Sequence, residues 1–133
     1  MIYDQKVHKR PFGVDGIDHL MWLECDNGAW EGPKDDWTSS HKDKYTKYCK
    51  KTDIAVTAGG NMGMYPLLLS KIFTTIYTFE PEPMNFHCLV NNCQSENIIK
   101  IQAALGDTHK MIQMNIVDIT NCGMHRVSKD ETG

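Results

Sequence analysis

The rhythm of apolar and polar residues changes near Asp53. Beyond it, Ile54-Ala55-Val56-Thr57-Ala58 is a run of small and β-branched residues that stops at Gly59-Gly60. This is the pattern of a strand buried on both faces of a parallel sheet. Leu67-Leu68-Leu69 and Ile72 predict a helix, and Pro66 fits only its first turn, where a missing N–H costs nothing. The helix should therefore start near Tyr65, leaving Gly59 to Met64 as a loop with free backbone N–H groups. Ile76-Tyr77-Thr78-Phe79 predicts a second strand, ended by Glu80-Pro81-Glu82-Pro83, with Pro83 opening the next helix. That helix carries Phe86, Leu89, Val90 and Cys93 at i, i+3, i+4 and i+7, a single apolar stripe. Ile98 to Leu105 predicts a third strand turned by Gly106-Asp107, and Met111 to Ile116 one more strand, expected antiparallel. The tail from Asp118 to Gly133 is too polar and short to place. The order βαβαβ makes residues 53–133 a partial Rossmann-like α/β domain, a partial parallel sheet flanked by helices.

Residues 1–52 have a different texture, polar and aromatic, and read as an N-terminal extension of hairpin and short helix. Met21 to Cys25 and Ala29-Trp30-Glu31 flank Asp26-Asn27-Gly28, and Asn-Gly tolerates the positive φ of a tight hairpin turn. Gly32-Pro33 then breaks the pattern. Ser40-His41-Lys42-Asp43 has the form of a capping box with the shorter acid, leading a short helix through Lys44 to Cys49. Its lysines, Lys42, Lys44, Lys47, Lys50 and Lys51, are read as solvated surface rather than an anion site. Trp22, Trp30 and Trp37 could stack on a carbohydrate, though packing of the hairpin on the main domain is the simpler reading.

Composition narrows the function. In 133 residues, 14 basic against 17 acidic side chains give a net charge of -3, which supplies no field for nucleic acid or an anionic membrane. Sugars, metabolites and peptides are the expected partners. The longest apolar stretch, Leu67 to Ile76, is interrupted by Ser70 and Lys71 and falls short of a membrane span. Five cysteines without a CxxC pair, and no leader of signal-peptide type, predict a reduced, cytoplasmic protein. His87 and Cys88 are adjacent in a predicted helix and point about 100° apart, so a zinc site with Cys93 is not expected. Cys88 and Cys93 are expected to pack on or beside the apolar stripe.

The chemistry sits at the first strand's end. A glycine turn there lets a ligand approach the backbone without a Cβ in the way. Ala58-Gly59-Gly60-Asn61-Met62-Gly63 occupies that place, with alanine in the first slot of a GxGxxG. Glu80 ends the second strand 17 residues beyond Gly63, where a carboxylate accepts hydrogen bonds from both ribose hydroxyls of an adenosine group. The plainer alternative is a tight strand-to-helix turn, with Glu80 as a helix-capping acid.

Three stretches, Val56 to Tyr65, Tyr77 to Pro83 with its Phe-Glu-Pro, and Ala103-Ala104-Leu105-Gly106-Asp107, resemble in order and spacing the FkbM family of methyltransferases. The likeness covers residues 53 to 107. It implies a Rossmann-like class I methyltransferase fold, S-adenosyl-L-methionine as methyl donor, and O-methylation of a sugar or other small-molecule hydroxyl. Carried over, Gly59, Gly60, Asn61 and Gly63 would line the methionine and ribose side of the cofactor. Glu80 would hold the ribose, and Ala103 and Ala104 would border the adenine. Thr57 would stand where the family usually has an aspartate at the methionine end, and brings no charge. The resemblance also implies a later strand with Asp-x-Glu-Gly, which Asp130-Glu131-Thr132-Gly133 does not match. About half of the expected sheet would then be missing, as in a fragment, a truncated reading frame, or a subunit needing a homo-oligomer or partner to complete it. His87, His109 and His125 are available as bases, but none is assigned a catalytic role. Two other classes stay open: a non-catalytic methyltransferase-like binding module, and an NAD-linked oxidoreductase using the same turn and acid.

Overall fold

In the computed structural model, residues 6–14, 16–26 and 37–128 are described. The chain is mixed α/β. Strands β1 (Val7–Val14) and β2 (Ile17–Leu23) form an antiparallel hairpin, with Val7 opposite Leu23 and Arg10 opposite Leu20. This differs from the expected hairpin, because Met21 to Leu23 belongs to the second arm of a turn at Gly16 rather than the first arm of a turn at Asn27-Gly28. The latter turn, with Ala29 to Glu31, lies outside the described residues. Strand β1 left little trace in the pattern because Lys9, Arg10 and Pro11 interrupt it. Its place comes from backbone pairing to β2, and Pro11 is accommodated beside a register shift.

Helix α1 (Trp37–Tyr48) starts ahead of Ser40, so Ser40 to Asp43 lies within the helix and makes no capping box. Then come β3 (Ile54–Ala58), α2 (Met64–Leu69), β4 (Thr75–Phe79), α3 (Pro83–Asn92) and β5 (Ile98–Ile101). The three strands form a parallel sheet in the order β3-β4-β5, in register at Val56, Tyr77 and Ile99. Pro83 opens α3 as expected, with Glu82 as its N-cap, the Glu82 carboxylate accepting from the Asn85 N–H at 2.6 Å. Strand β5 is shorter than the sequence pattern predicts, ending at Ile101. The Glu80 N–H takes the Ile101 carbonyl, and with β4 ended at Phe79 nothing remains for Gln102 to Leu105 to pair with. Beyond it, β6 (Met114–Asn115) pairs antiparallel with β7 (Arg126–Val127), and Cys122–Met124 forms a short 3-10 turn.

One apolar cluster joins Leu20, Trp22 and Leu23 of the hairpin to Met62, Leu67, Ile76, Cys88, Leu89 and Ile98. Cys88 and Cys93 are fully buried in it. Right-handed crossovers along strands laid down in one direction put both helices on one sheet face, the face bearing Ala55, Ile76 and Ile98. On the other face, among the described residues, Ile54 is 60% and Val56 58% exposed, Ile99 is exposed beside them, and Tyr77 and Phe79 are half-buried. The expectation that β3 is buried on both faces is therefore wrong for the described residues. Its apolar run is continuous, yet only alternate residues are covered. Among the described residues no helix is long and apolar enough to cross a membrane.

Candidate functional site

The glycine loop folds back onto the end of β4. Gly59 and Gly60 both donate their N–H groups to the Phe79 carbonyl at 2.8 Å, and Gly63 donates to the Gly60 carbonyl at 2.9 Å. Asn61, in the left-handed region at φ 48°, donates its N–H to Glu80 Oε2 at 2.8 Å. The expected free N–H groups are thus engaged at Gly59, Gly60, Asn61 and Gly63. The loop's N–H groups are satisfied by its own carbonyls, by β4 and by Glu80 rather than left for a ligand.

The glycines divide by purpose. A Cβ on Gly60 would run into the Thr78 hydroxyl and Leu89, and one on Gly63 would come 2.5 Å from Cys93 Sγ. Both let the loop pack on β4 and α3. Gly59, at φ 78°, has nothing within 4 Å of the place its Cβ would take, so it is the glycine whose open side a ligand can approach. Thr57 donates its hydroxyl to Thr78 Oγ1 at 2.7 Å, tying β3 to β4.

Glu80 stands at the C-terminal end of the middle strand, where the sequence predicts it, and is only 5% exposed. Its Oε2 accepts from Asn61 and its Oε1 from the Glu82 N–H at 3.0 Å. Burial pushes the Glu80 carboxyl above its ordinary range, and the two backbone N–H bonds pull it part of the way back. Glu80 is not the cap of α3; Glu82 is. Loop and acid meet through one hydrogen bond, whereas Ala103 and Ala104 are half-buried just past β5.

Two features escaped sequence reading. Asn85 is 2% exposed and donates its Nδ2 to the Cys122 carbonyl at 3.1 Å, which draws the Asn121 to Met124 turn over the start of α3. Gly123 of that turn is near Asn61: a Cβ added to it would come 3.7 Å from the Asn61 side-chain nitrogen Nδ2. The side-chain oxygens of both Asn61 and Asn85 are buried without a hydrogen-bond partner. Asn92 accepts from the Met21 N–H at 2.7 Å and donates to the Met21 and Met62 carbonyls at 2.9 and 2.7 Å. It holds the hairpin and the glycine loop to α3. The only sequence signal was the helical spacing of Asn85 and Asn92 beside the apolar stripe, which reads as a polar flank.

A separate groove of about 410 Å³ runs along the free edge of β3, walled by Tyr45, Cys49, Val56, Tyr65 and Phe73 and ending at Gly59. Of the expected cofactor residues it takes in Thr57 and Gly59, while Glu80 lies outside it. His87 and His109 are exposed, and among the described residues no group of His, Cys, Asp or Glu is placed to hold a metal. Trp22 is buried, donating its indole N–H to Asp26 at 2.7 Å, so its ring serves packing; Trp30 lies outside the described residues. Compared with protein-family models and with curated proteins, the chain matches none.

Proposed function

We propose that the chain binds the adenosine part of S-adenosyl-L-methionine at the junction of the glycine loop and Glu80, as an FkbM-like methyltransferase acting on a sugar or other small-molecule hydroxyl. The observation that carries this reading is the Asn61 to Glu80 hydrogen bond, which joins the turn after the first parallel strand to an acid ending the second. Gly59 gives the open backbone edge, Glu80 the acceptor for ribose hydroxyls, and the orphaned Asn61 and Asn85 oxygens two further acceptors. The three side-chain groups are acceptors, as a ligand rich in hydroxyl donors requires. Thr57, already bonded to Thr78, supplies no charge for the cationic methionine end, so the adenosine half is the part these residues fit.

When bound, the donor supplies an electrophilic methyl group. The chain's own residues then orient it, and most of the catalysis is positioning. Because Glu80 is only 5% exposed and both its oxygens accept backbone N–H groups, ligand entry requires the glycine loop or a segment beside it to move. The same closure favours a second reading, a non-catalytic module in which Glu80 latches the loop to α3. The NAD-linked reading draws no support from the loop, whose Gly59, Gly60, Asn61 and Gly63 N–H groups are engaged internally rather than free for a pyrophosphate.

Calorimetric titration of S-adenosylmethionine and S-adenosylhomocysteine, with NAD as control, tests the proposal. Binding of both that is lost in Glu80→Gln, with NAD inert, is expected. A folded chain that binds neither would leave the latch reading standing.

A further inference from the structure

The Asn121 to Met124 turn carries one member of a close pair of thiols. Cys25, just past the hairpin, and Cys122 are 97 residues apart in sequence, yet their sulfurs lie 3.9 Å from each other. Cys122 is 2% exposed and Cys25 is half-buried, so reagents reach Cys25 first. A third thiol, Cys88, is fully buried in the same neighbourhood. Closing from 3.9 Å to the roughly 2.05 Å of a disulfide takes side-chain rotation and a small shift of the turn.

We propose that Cys25 and Cys122 form a redox-sensitive clasp that fastens the Asn121 to Met124 turn to the end of the hairpin, beside Asn85 and Asn61, unlinked when reduced and linked when oxidised. The Cys122 carbonyl is bound by Asn85, and the next residue, Gly123, is placed so that a Cβ on it would come 3.7 Å from Asn61 Nδ2. The oxidant is a small-molecule disulfide such as glutathione disulfide. Cys25 gives its proton to water, and its thiolate attacks one sulfur of the reagent, forming a mixed disulfide and expelling one thiolate. Cys122 then loses its proton and attacks the Cys25 sulfur, expelling the second thiolate. Both thiolates are protonated, so two electrons pass from the cysteine pair to the reagent. Burial raises Cys122 strongly and pushes Cys88 up to about 12, which makes both poor first attackers and leaves that step to Cys25. As a control on access to the proposed ligand site, the clasp rests on that reading; as a cross-link it does not.

The test treats the whole chain with glutathione disulfide, then counts thiols after denaturation and maps linked peptides. The expected result is a fall from five free thiols to three, a Cys25 to Cys122 peptide, reversal by dithiothreitol, and no link in Cys25→Ser or Cys122→Ser. Amide exchange at Gly123 and Met124 should slow several-fold in the oxidised form. A Cys25 to Cys88 link, glutathione left on Cys25 alone, no reaction, or a link that leaves exchange at Gly123 unchanged would each overturn the clasp. Mapping the unmodified protein needs no variant to fold. If S-adenosylmethionine binds neither redox form, the functional reading fails while the cross-link and exchange results still decide the clasp.

Discussion

At Gly60 a methyl group would have to occupy space held by Thr78 and Leu89, whereas at Gly59 it would meet open space and only a positive φ opposes it. Gly60→Ala is therefore expected to lower stability by about 1–3 kcal/mol through overpacking. Gly59→Ala should cost about 1–2 kcal/mol from backbone strain alone. Urea titrations of the two variants separate these, and equal effects on ligand binding would contradict the assignment of Gly59 as the ligand-facing glycine. Glu80 gives a prediction with two opposite signs. Its carboxyl, held above the ordinary range by burial, binds a proton more readily folded than unfolded. Its contribution to stability is then present below the unfolded value and is lost as pH rises through the folded one. Relative to Glu80→Gln, the native chain should gain stability on acidification. The affinity for an adenosine ligand should fall over the same interval, because the ionised carboxylate is the form that accepts two hydroxyls. Chemical denaturation and calorimetry at matched pH values measure the two signs.

Among the elements, α3 connects most of the molecule. Its buried positions run Asn85, Cys88 and Leu89, continued by Cys93 at its C-cap, with Asn92 half-buried beside them, so the inward face is partly polar. The apolar stripe in the sequence located the helix and its first residue, but Phe86 and Val90 are only half-buried. Periodicity finds the apolar part of a face; it does not tell a polar flank in solvent from one that binds a neighbouring backbone. Asn92→Ala would leave the Met21 N–H and two carbonyls without this partner, and a loss on the order of 1–3 kcal/mol is expected. Hydrogen exchange at the Met21 amide should quicken by more than global unfolding accounts for. An unchanged Met21 rate would show that the hairpin is held by Leu20, Trp22 and Leu23 alone.

On the scale of the whole molecule, a parallel sheet that carries both crossover helices on one side has an apolar face to spare. Ile54, Val56 and Ile99 line it. Val56→Thr on this face should change stability by no more than about 0.5 kcal/mol, as for surface positions. Ile76→Val, on the covered face, should cost about 0.5–1.5 kcal/mol. An anilinonaphthalene dye should bind the native chain and bind less to an Ile54→Thr, Val56→Thr variant. Equal dye binding by both would show that the bare face is covered in solution.

Several features were set by the chain alone. Short β-branched runs, Pro66 and Pro83 at helix starts, and glycines at a strand end impose conformations through local sterics, so β3, α2, β4 and α3 fall where their residues dictate. The position of Glu80 at a strand's end follows from the same local rules. What tertiary structure decided is everything that depends on which surfaces meet. The hairpin partner of Met21 to Leu23 was a strand with a weak pattern of its own. The face of β3 that is covered followed from crossover handedness, and the loop N–H groups found partners on β4 and Glu80. Cys25 and Cys122 meet, and Asn85 holds the Asn121 to Met124 turn at the start of α3, because contacts between residues 37 to 97 positions apart arise from chain folding and leave no period in the sequence.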